Sequence, residues 1–126
     1  MFKVLIVEDE TPSQHLIAHL LQQVRPQSEI VAFCDSVQQT VDWLRQNPAP
    51  DLILMDIQLG DGLSFEILEQ VPVQSWIIFI TAYDHYTLSA FKANSLDYLL
   101  KPLKRNDLVQ ALEKWERLNT YYRDSL

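Results

Sequence analysis

Short apolar runs alternate with longer amphipathic stretches along the chain, and this rhythm limits the folds that are open to it. The runs are FKVLIV, EIVAFC, DLILM, WIIFI and DYLL. Most are separated by about 15 to 25 residues, which is enough for the helical crossover that joins two parallel strands. The chain is therefore predicted to be an α/β protein, with a parallel sheet that helices cover on both faces.

The stretches between the runs carry helix signals. Thr11 is predicted to cap the first helix, because Pro12 fits the first helical position and apolar residues then recur at helical spacing. Four further helices are predicted: one from near Ser36, one after Gly62, one from about Asp84 to Lys92, and one from about Lys104 past Trp115. All six prolines then fall at boundaries between elements, as intact helices and strands require.

Charge and composition exclude several classes of function. Ten Lys and Arg stand against seventeen Asp and Glu, for a net charge of −7, which repels nucleic-acid phosphates and anionic lipid. No run approaches the ~20 apolar residues of a membrane-spanning helix, and the first residues lack the features of a signal peptide. Cys34 lies in the run EIVAFC and is predicted to be a buried, inert thiol. A cytoplasmic protein without membrane contact is expected.

Chemically active side chains follow the predicted strands. The first strand ends in Glu8 and Asp9, the third in Asp56, the fourth in Thr81 and the fifth in Lys101. In an open parallel sheet these carboxyl ends form the crevice that binds ligands. Carboxylates packed this closely call for a cation, and Mg²⁺ suits a few protein oxygens together with water. The pattern predicts phosphoryl capture, with Asp56 as nucleophile and Lys101 and Thr81 holding phosphoryl oxygens.

Both glycines of the chain, Gly60 and Gly62, lie in the stretch MDIQLGDG directly after Asp56. Glycine is the residue of choice where the backbone turns sharply or must approach a ligand. The segment after Asp56 is therefore predicted to turn tightly, to bring a main-chain carbonyl toward the metal, and to keep side chains away from the incoming group.

Four motifs carry a family resemblance: VEDE, LMDIQLGDG, ITAYD and LDYLLKP, each at the end of one predicted strand. Their order and spacing resemble the receiver domain of bacterial two-component response regulators. Two longer segments are most similar to receivers of LytTR-type (LytR/AlgR family) regulators: DIQLGDG and TAYDHYTLSAFKANSLDYLLKPL. The resemblance implies a flavodoxin-like, doubly wound (βα)5 fold with a five-stranded parallel sheet in the order 2-1-3-4-5.

The same resemblance implies a phosphoacceptor and a metal site. Asp56 would accept the phosphoryl group from a phosphohistidine on a sensor histidine kinase. Asp9 would bind Mg²⁺ directly and Glu8 mainly through water, and the main-chain carbonyl of Gln58 would complete the protein ligands, which include Asp56. Slow self-dephosphorylation is implied, whereas a dedicated enzyme is not. An aspartyl phosphatase would need a second acid two residues after the nucleophile, where this chain has Gln58.

The resemblance also implies a switch. Lys101 would pair with the phosphoryl group, Thr81 would move toward it, and the ring of Tyr98 would turn inward. The bond from Lys101 to Pro102 would be cis. Gly60 stands where the family usually carries proline, which predicts a looser segment after Asp56. Packing alone is an open alternative for Tyr98, since tyrosine is common in strands.

The implied output surface consists of the fourth helix, the fifth sheet strand and the last helix, over about Asp84 to Leu118. Phosphorylation would change that face and favour a homodimer. The family further implies a C-terminal DNA-binding domain, which these residues do not contain, so residues 1–122 are assigned to the receiver and 123–126 to a tail or the start of a linker. A solitary or phosphorylation-independent receiver that acts by protein-protein interaction is the alternative.

Overall fold

The computed structural model describes residues 2–82 and 95–125, with side chains of the second range described through residue 119. Five parallel strands form the main sheet: β1 (Lys3–Val7), β2 (Glu29–Cys34), β3 (Leu52–Met55), β6 (Trp76–Thr81) and β7 (Ser95–Leu100). They lie in the order β2-β1-β3-β6-β7. The predicted α/β fold and strand order are confirmed, once the two additional short strands β4 (Gln58–Leu59) and β5 (Gly62–Leu63) are counted.

The described helices cover both faces of this sheet. They are α1 (Thr11–Val24), α2 (Val37–Gln46), α3 (Phe65–Gln70) and α4 (Arg105–Ser125). Side chains alternate along β1: Val4 and Ile6 pack with α1 and α4, whereas Leu5 and Val7 pack with α2 and α3. All four side chains are fully buried, which is why the runs are apolar throughout and lack the alternation of a half-exposed strand.

Helix starts follow the sequence signals with one correction. Ser36 caps α2, because its Oγ accepts a hydrogen bond from the Gln39 N–H at 3.0 Å. Thr11 does not cap α1: it is already helical, and Glu10 occupies the cap position. The reason is that the Glu10 carbonyl accepts the first helical bond, from the Gln14 N–H at 2.9 Å.

The last helix, predicted from about Lys104 past Trp115, carries an apolar stripe. Its residues Leu108, Ala111, Leu112 and Trp115 are buried against the face of the sheet that α1 also covers. The helix continues to Ser125, and the predicted end of the domain at residue 122 stays a prediction. The predicted helix from Asp84 to Lys92 lies outside the described residues.

Two other sequence predictions concern the thiol of Cys34 and the absence of a membrane-spanning helix. Cys34 is buried, as predicted, and burial raises the pKa of its thiol to about 11, which favours the neutral thiol over the reactive thiolate; its inertness stays a prediction. Among the helices of residues 2–82 and 95–125, none combines the length and apolar character needed to cross a membrane.

The segment after Asp56 contains an antiparallel hairpin that sequence patterns did not predict. Gln58 pairs with Leu63 and Leu59 with Gly62, so Gly60 and Asp61 form the two-residue turn between β4 and β5. Gly62 has a φ of +154°, and a Cβ there would overlap the carboxylate of Glu66. At Gly60 the atom nearest to an added Cβ is 3.9 Å away, so the conformational need for glycine applies to Gly62.

Candidate functional site

The carboxyl ends of four strands meet at one edge of the sheet, around a cleft of about 400 Å³. The cleft is lined by Asp9, Glu10, Asp56, Gln58, Leu59, Gly60, Ala82 and Lys101. Parallel strands place their ends on the same edge, so residues that are distant along the chain converge there. The structure thus places Asp9, Asp56 and Lys101, three of the residues that the sequence assigned to strand ends, around one cleft.

Lys101 is the cation at the centre of this cluster. Its Nζ lies 2.8 Å from Asp56 Oδ2 and 2.5 Å from Glu8 Oε1, and 3.8 Å from Glu10 Oε1. Burial alone would lower the pKa of Lys101, but the hydrogen bonds to Asp56 and Glu8 outweigh it and raise the pKa. The site therefore holds a protonated ammonium between two carboxylates.

Glu8 is fully buried below the cleft. Its Oε1 accepts a bond from Ser13 Oγ at 2.7 Å, and its Oε2 accepts one from the Glu10 N–H at 3.1 Å. Burial tends to raise the pKa of Glu8, yet the bonds from Lys101 and Ser13 prevail and the pKa is lowered. A buried charge that is paired and hydrogen-bonded in this way can stay ionised in the folded protein.

Asp9 is exposed at the rim of the cleft. Partial desolvation and the neighbouring Glu8 carboxylate raise its pKa to about 6, with a further contribution from Asp56. Oxygen atoms of Glu8, Asp9 and Glu10 lie within 4.8 Å of one another. Such crowding of carboxylates shows an excess of negative charge beyond what Lys101 offsets, and hard oxygen ligands of this kind suit Mg²⁺.

Asp56 directly follows β3 and lies at the floor of the cleft, where it is 6% exposed. Its N–H donates to the Val7 carbonyl at 2.9 Å, which continues the sheet pairing by one residue. Its Oδ2 accepts from Lys101, and its Oδ1 accepts a long bond from the Gln58 N–H at 3.3 Å. The carboxylate is thus oriented by the protein while the cleft keeps it within reach of a small substrate.

The predicted switch residues lie on the two strands that follow β3 in the sheet, Thr81 on β6 and Tyr98 on β7. Thr81 is fully buried at the end of β6, and its carbonyl accepts a bond from the Lys101 N–H at 2.8 Å. Tyr98 is half-buried, lies opposite Phe79 in the strand register, and packs on the face that α2 and α3 cover. The bond between Lys101 and Pro102 is cis, as expected. Movement of Thr81 and Tyr98 stays a prediction.

Sequence reasoning missed three residues that shape the site. Glu10 lines the cleft, Ser13 holds Glu8 from the first turn of α1, and Asp61 binds the N-terminal end of α2. Glu10 could have been found, since it continues the acidic run VEDE. Ser13 contacts Glu8 across the turn between β1 and α1, and Asp61 contacts α2 from 24 residues away; sequence spacing carries no signal for either contact.

Comparison with protein families matches residues 4–113 of this chain to the response regulator receiver domain. Among curated proteins, the chain is similar to the sensory transduction protein LytT of Bacillus anthracis, with 38% identity over 93% of this chain and 48% of that protein. It is 34% identical to LytT of Bacillus subtilis, over 94% of this chain and 50% of the relative. The chain spans about half the length of these curated relatives.

Solved structures share this fold. The response regulatory domain of protein mrkE from Klebsiella pneumoniae superposes with a TM-score of 0.75 at 33% identity. The match covers 91% of this chain and 98% of that domain. The likeness extends over nearly all of both chains, so it concerns the whole domain and not a single motif.

Proposed function

Since this chain belongs to the response regulator receiver domain family, we propose that it is a phosphorylation switch. Asp56 would accept a phosphoryl group from the phosphohistidine of a sensor histidine kinase. The observation that best supports this is the contact of 2.8 Å between Asp56 Oδ2 and Lys101 Nζ inside an acidic cleft. An ammonium held beside a carboxylate nucleophile is also beside the charge that a captured phosphoryl group would bring.

The proposed step moves a phosphoryl group from nitrogen to oxygen. A carboxylate oxygen of Asp56 forms the new bond to phosphorus, the bond from phosphorus to the donor imidazole breaks, and its electron pair stays on the imidazole nitrogen. The Lys101 ammonium would stabilise the negative charge on the phosphoryl oxygens, while its ion pair with Glu8 keeps it near the cleft. Thr81, at the adjacent strand end, is proposed to donate a hydrogen bond to the product.

Mg²⁺ is the proposed cofactor. Asp9, Asp56 and the main-chain carbonyl of Gln58 would hold it, with Glu8 acting mainly through water. The fit is supported by the donor set, which consists of oxygens, and by the crowding of carboxylates that raises the pKa of Asp9. Bound there, the ion would offset the negative charge that gathers between the carboxylates and the phosphoryl oxygens.

The output is proposed to lie on a face that includes strand β7 and helix α4, through which phosphorylation would favour a homodimer. The relatives named LytT are described as sensory transduction proteins and are about twice as long as this chain. A similar relative, of 33% identity, is the transcriptional regulatory protein BtsR of Salmonella typhi. We propose that DNA is bound by a domain outside these residues, because their net charge of −7 disfavours contact with DNA phosphates.

The test is the intact mass of the protein after incubation with a small-molecule phosphodonor, with Mg²⁺ or with a chelator. We expect a gain of one phosphoryl group only with Mg²⁺, and peptide mapping should place it on Asp56. If neither the small donor nor a panel of histidine kinases modifies the protein, phosphoryl capture is refuted and a phosphorylation-independent receiver is favoured.

Asp9→Asn is expected to have opposite effects on Mg²⁺ binding and on stability. The Asp9 pKa is raised from 3.8 to about 6 on folding, so above pH 6 its charge destabilises the metal-free fold. Because Asp9 is exposed, removal of that charge should stabilise the metal-free protein by only about 1 kcal/mol. Loss of a direct ligand should weaken Mg²⁺ binding by at least about tenfold.

Calorimetric Mg²⁺ titration and thermal unfolding in chelator measure the two effects of Asp9→Asn. Asp51→Asn is the control, since Asp51 is also exposed but precedes strand β3, at the opposite end from the cleft. Unchanged Mg²⁺ affinity in Asp9→Asn would contradict the assignment of Asp9 as a ligand.

A further inference from the structure

The turn between β4 and β5 is anchored to helix α2 by Asp61. The Asp61 Oδ1 accepts a hydrogen bond from the Val37 N–H at 2.7 Å, and its Oδ2 accepts one from the Gln38 N–H at 3.1 Å. These are the first two amides of α2, which an α-helix leaves without partners in its own backbone. The bond from Val37, with that from Gln38, holds the pKa of Asp61 below its ordinary value against a small opposing effect of burial.

The same hairpin forms one wall of the acidic cleft. Leu59 and Gly60 line the cleft beside Gln58, whose N–H donates to Asp56 Oδ1 at 3.3 Å. A Cβ placed on Gly60 would lie 3.9 Å from Asp9 Oδ2, so the turn passes close to the rim carboxylate. The hairpin therefore connects the first turn of α2 with the surroundings of Asp56 and Asp9.

A ribbon of two residue pairs does not hold its own position. Isolated two-stranded hairpins are marginal even when longer, so the place of β4 and β5 depends on what fastens them. On one side the Leu63 N–H donates to Glu66 Oε2 at 2.9 Å, and the Ser64 N–H donates to the Ile57 carbonyl at 2.7 Å. On the side of the turn, the fastening is Asp61.

We propose that Asp61 is a positioning residue of the cleft: it fastens the β4–β5 hairpin to α2, and so couples Mg²⁺ binding to the first turn of that helix. The inference rests on the proposed function, since the cation concerned is that of the phosphoacceptor site. Asp61 itself is not a ligand; it acts through Gln58, whose carbonyl would bind the ion and whose N–H contacts Asp56. Coupling between two sites is reciprocal. The factor by which the Asp61 anchor raises the Mg²⁺ affinity must therefore equal the factor by which bound Mg²⁺ stabilises the hydrogen bonds of Asp61 to the amides of α2.

The decisive comparison is Asp61→Ala with Ser36→Ala, measured by Mg²⁺ titration calorimetry. Both substitutions remove hydrogen bonds at the same end of α2, but Ser36 Oγ accepts its bond from the Gln39 N–H of the same helix, whereas Asp61 reaches α2 from the hairpin turn. Asp61→Ala should weaken Mg²⁺ binding by roughly tenfold, the lower end of what the loss of an outer partner of a metal ligand costs. Ser36→Ala should leave the affinity within about twofold while weakening the helix cap.

Amide hydrogen exchange of the wild-type protein gives a second readout that needs no substitution. Addition of Mg²⁺ should slow exchange at Val37 and Gln38 by about the factor by which Asp61→Ala weakens binding, up to roughly tenfold. Gln39, which bonds to Ser36, should change much less. In Asp61→Ala, the response of the first two amides to Mg²⁺ should disappear.

The outcomes separate this inference from the function on which it rests. Wild-type Mg²⁺ binding that Asp9→Asn does not weaken would refute the proposed metal site and this coupling with it. If Asp9→Asn weakens Mg²⁺ binding but Asp61→Ala, like Ser36→Ala, binds Mg²⁺ as tightly as the wild type, the coupling alone would be overturned. Equal losses of affinity in both variants would also overturn it, since they would show that α2 stability, and not the fastening of the hairpin, matters.

Discussion

Asp56→Asn is expected to abolish phosphoryl uptake, leaving less than about 1% of the wild-type rate with any donor. The reason is chemical: the amide oxygen is uncharged and weakly nucleophilic, whereas the side chain keeps its shape and can still accept the bond from Lys101. The fold should therefore survive, and its stability is measured in parallel by urea unfolding. Intact mass spectrometry over time gives the rate.

Asp51→Asn is the matched control for this substitution. Asp51 precedes strand β3 and Asp56 follows it, so the two aspartates mark opposite edges of the sheet. The Asp51 Oδ2 accepts a bond from the Lys3 N–H at 2.8 Å, far from the cleft. Uptake should be unchanged in Asp51→Asn. Uptake that persists in Asp56→Asn would place the acceptor on another residue and refute the proposed site.

The fold could be predicted because the evidence for it is local and repeated. Each sheet strand is a short apolar run, and each is followed by a helix signal or a charged residue at its carboxyl end. Lys101 and Asp56 are far apart in sequence, yet a parallel sheet sets their ends side by side and the structure places their charged atoms 2.8 Å apart. Site residues at strand ends were thus predictable once the sheet was.

The connections that tune the site were not predictable in this way. Ser13 meets Glu8 only because helix α1 turns back over the end of β1, and Asp61 meets α2 across 24 residues of chain. The hairpin of β4 and β5 is too short for alternating hydrophobicity to show it. Such hydrogen bonds depend on the relative positions of the packed helices and strands, which neither residue spacing nor secondary-structure propensity specifies. Glu8 illustrates the consequence: its sequence position suggests a metal ligand, and its surroundings also make it the anion that holds Lys101.

Lys101→Met is expected to destabilise the protein by about 3 kcal/mol near neutral pH, because it leaves buried carboxylates without their partner. Glu8 is fully buried and the Asp56 side chain is only 8% exposed, so water can replace the ammonium only in part. A loss of this size is a large share of the 5–15 kcal/mol typical of a folded domain, but leaves it folded. Urea unfolding measures it, with Lys114→Met as control. Lys114 pairs with Asp97 at 3.8 Å and is half-exposed, so its loss should cost at most about 1 kcal/mol.

The pH dependence identifies the cause of the loss in Lys101→Met. In the wild type, the pKa of Glu8 is lowered from 4.5, so its pairing stabilises the fold above about pH 4.5 and the stabilisation is lost as pH falls through the lowered pKa. The raised pKa of Lys101 likewise stabilises the fold below about pH 10.5. Without Lys101, burial would raise the pKa of Glu8, and the variant would lose stability as pH rises above 4.5. The difference in stability between the variant and the wild type should therefore shrink from neutral pH toward pH 4.5.

Glu8→Gln added to Lys101→Met should recover part of the lost stability, since it removes the unpaired charge. A loss independent of pH that Glu8→Gln does not reduce would show that Lys101 contributes packing and not charge.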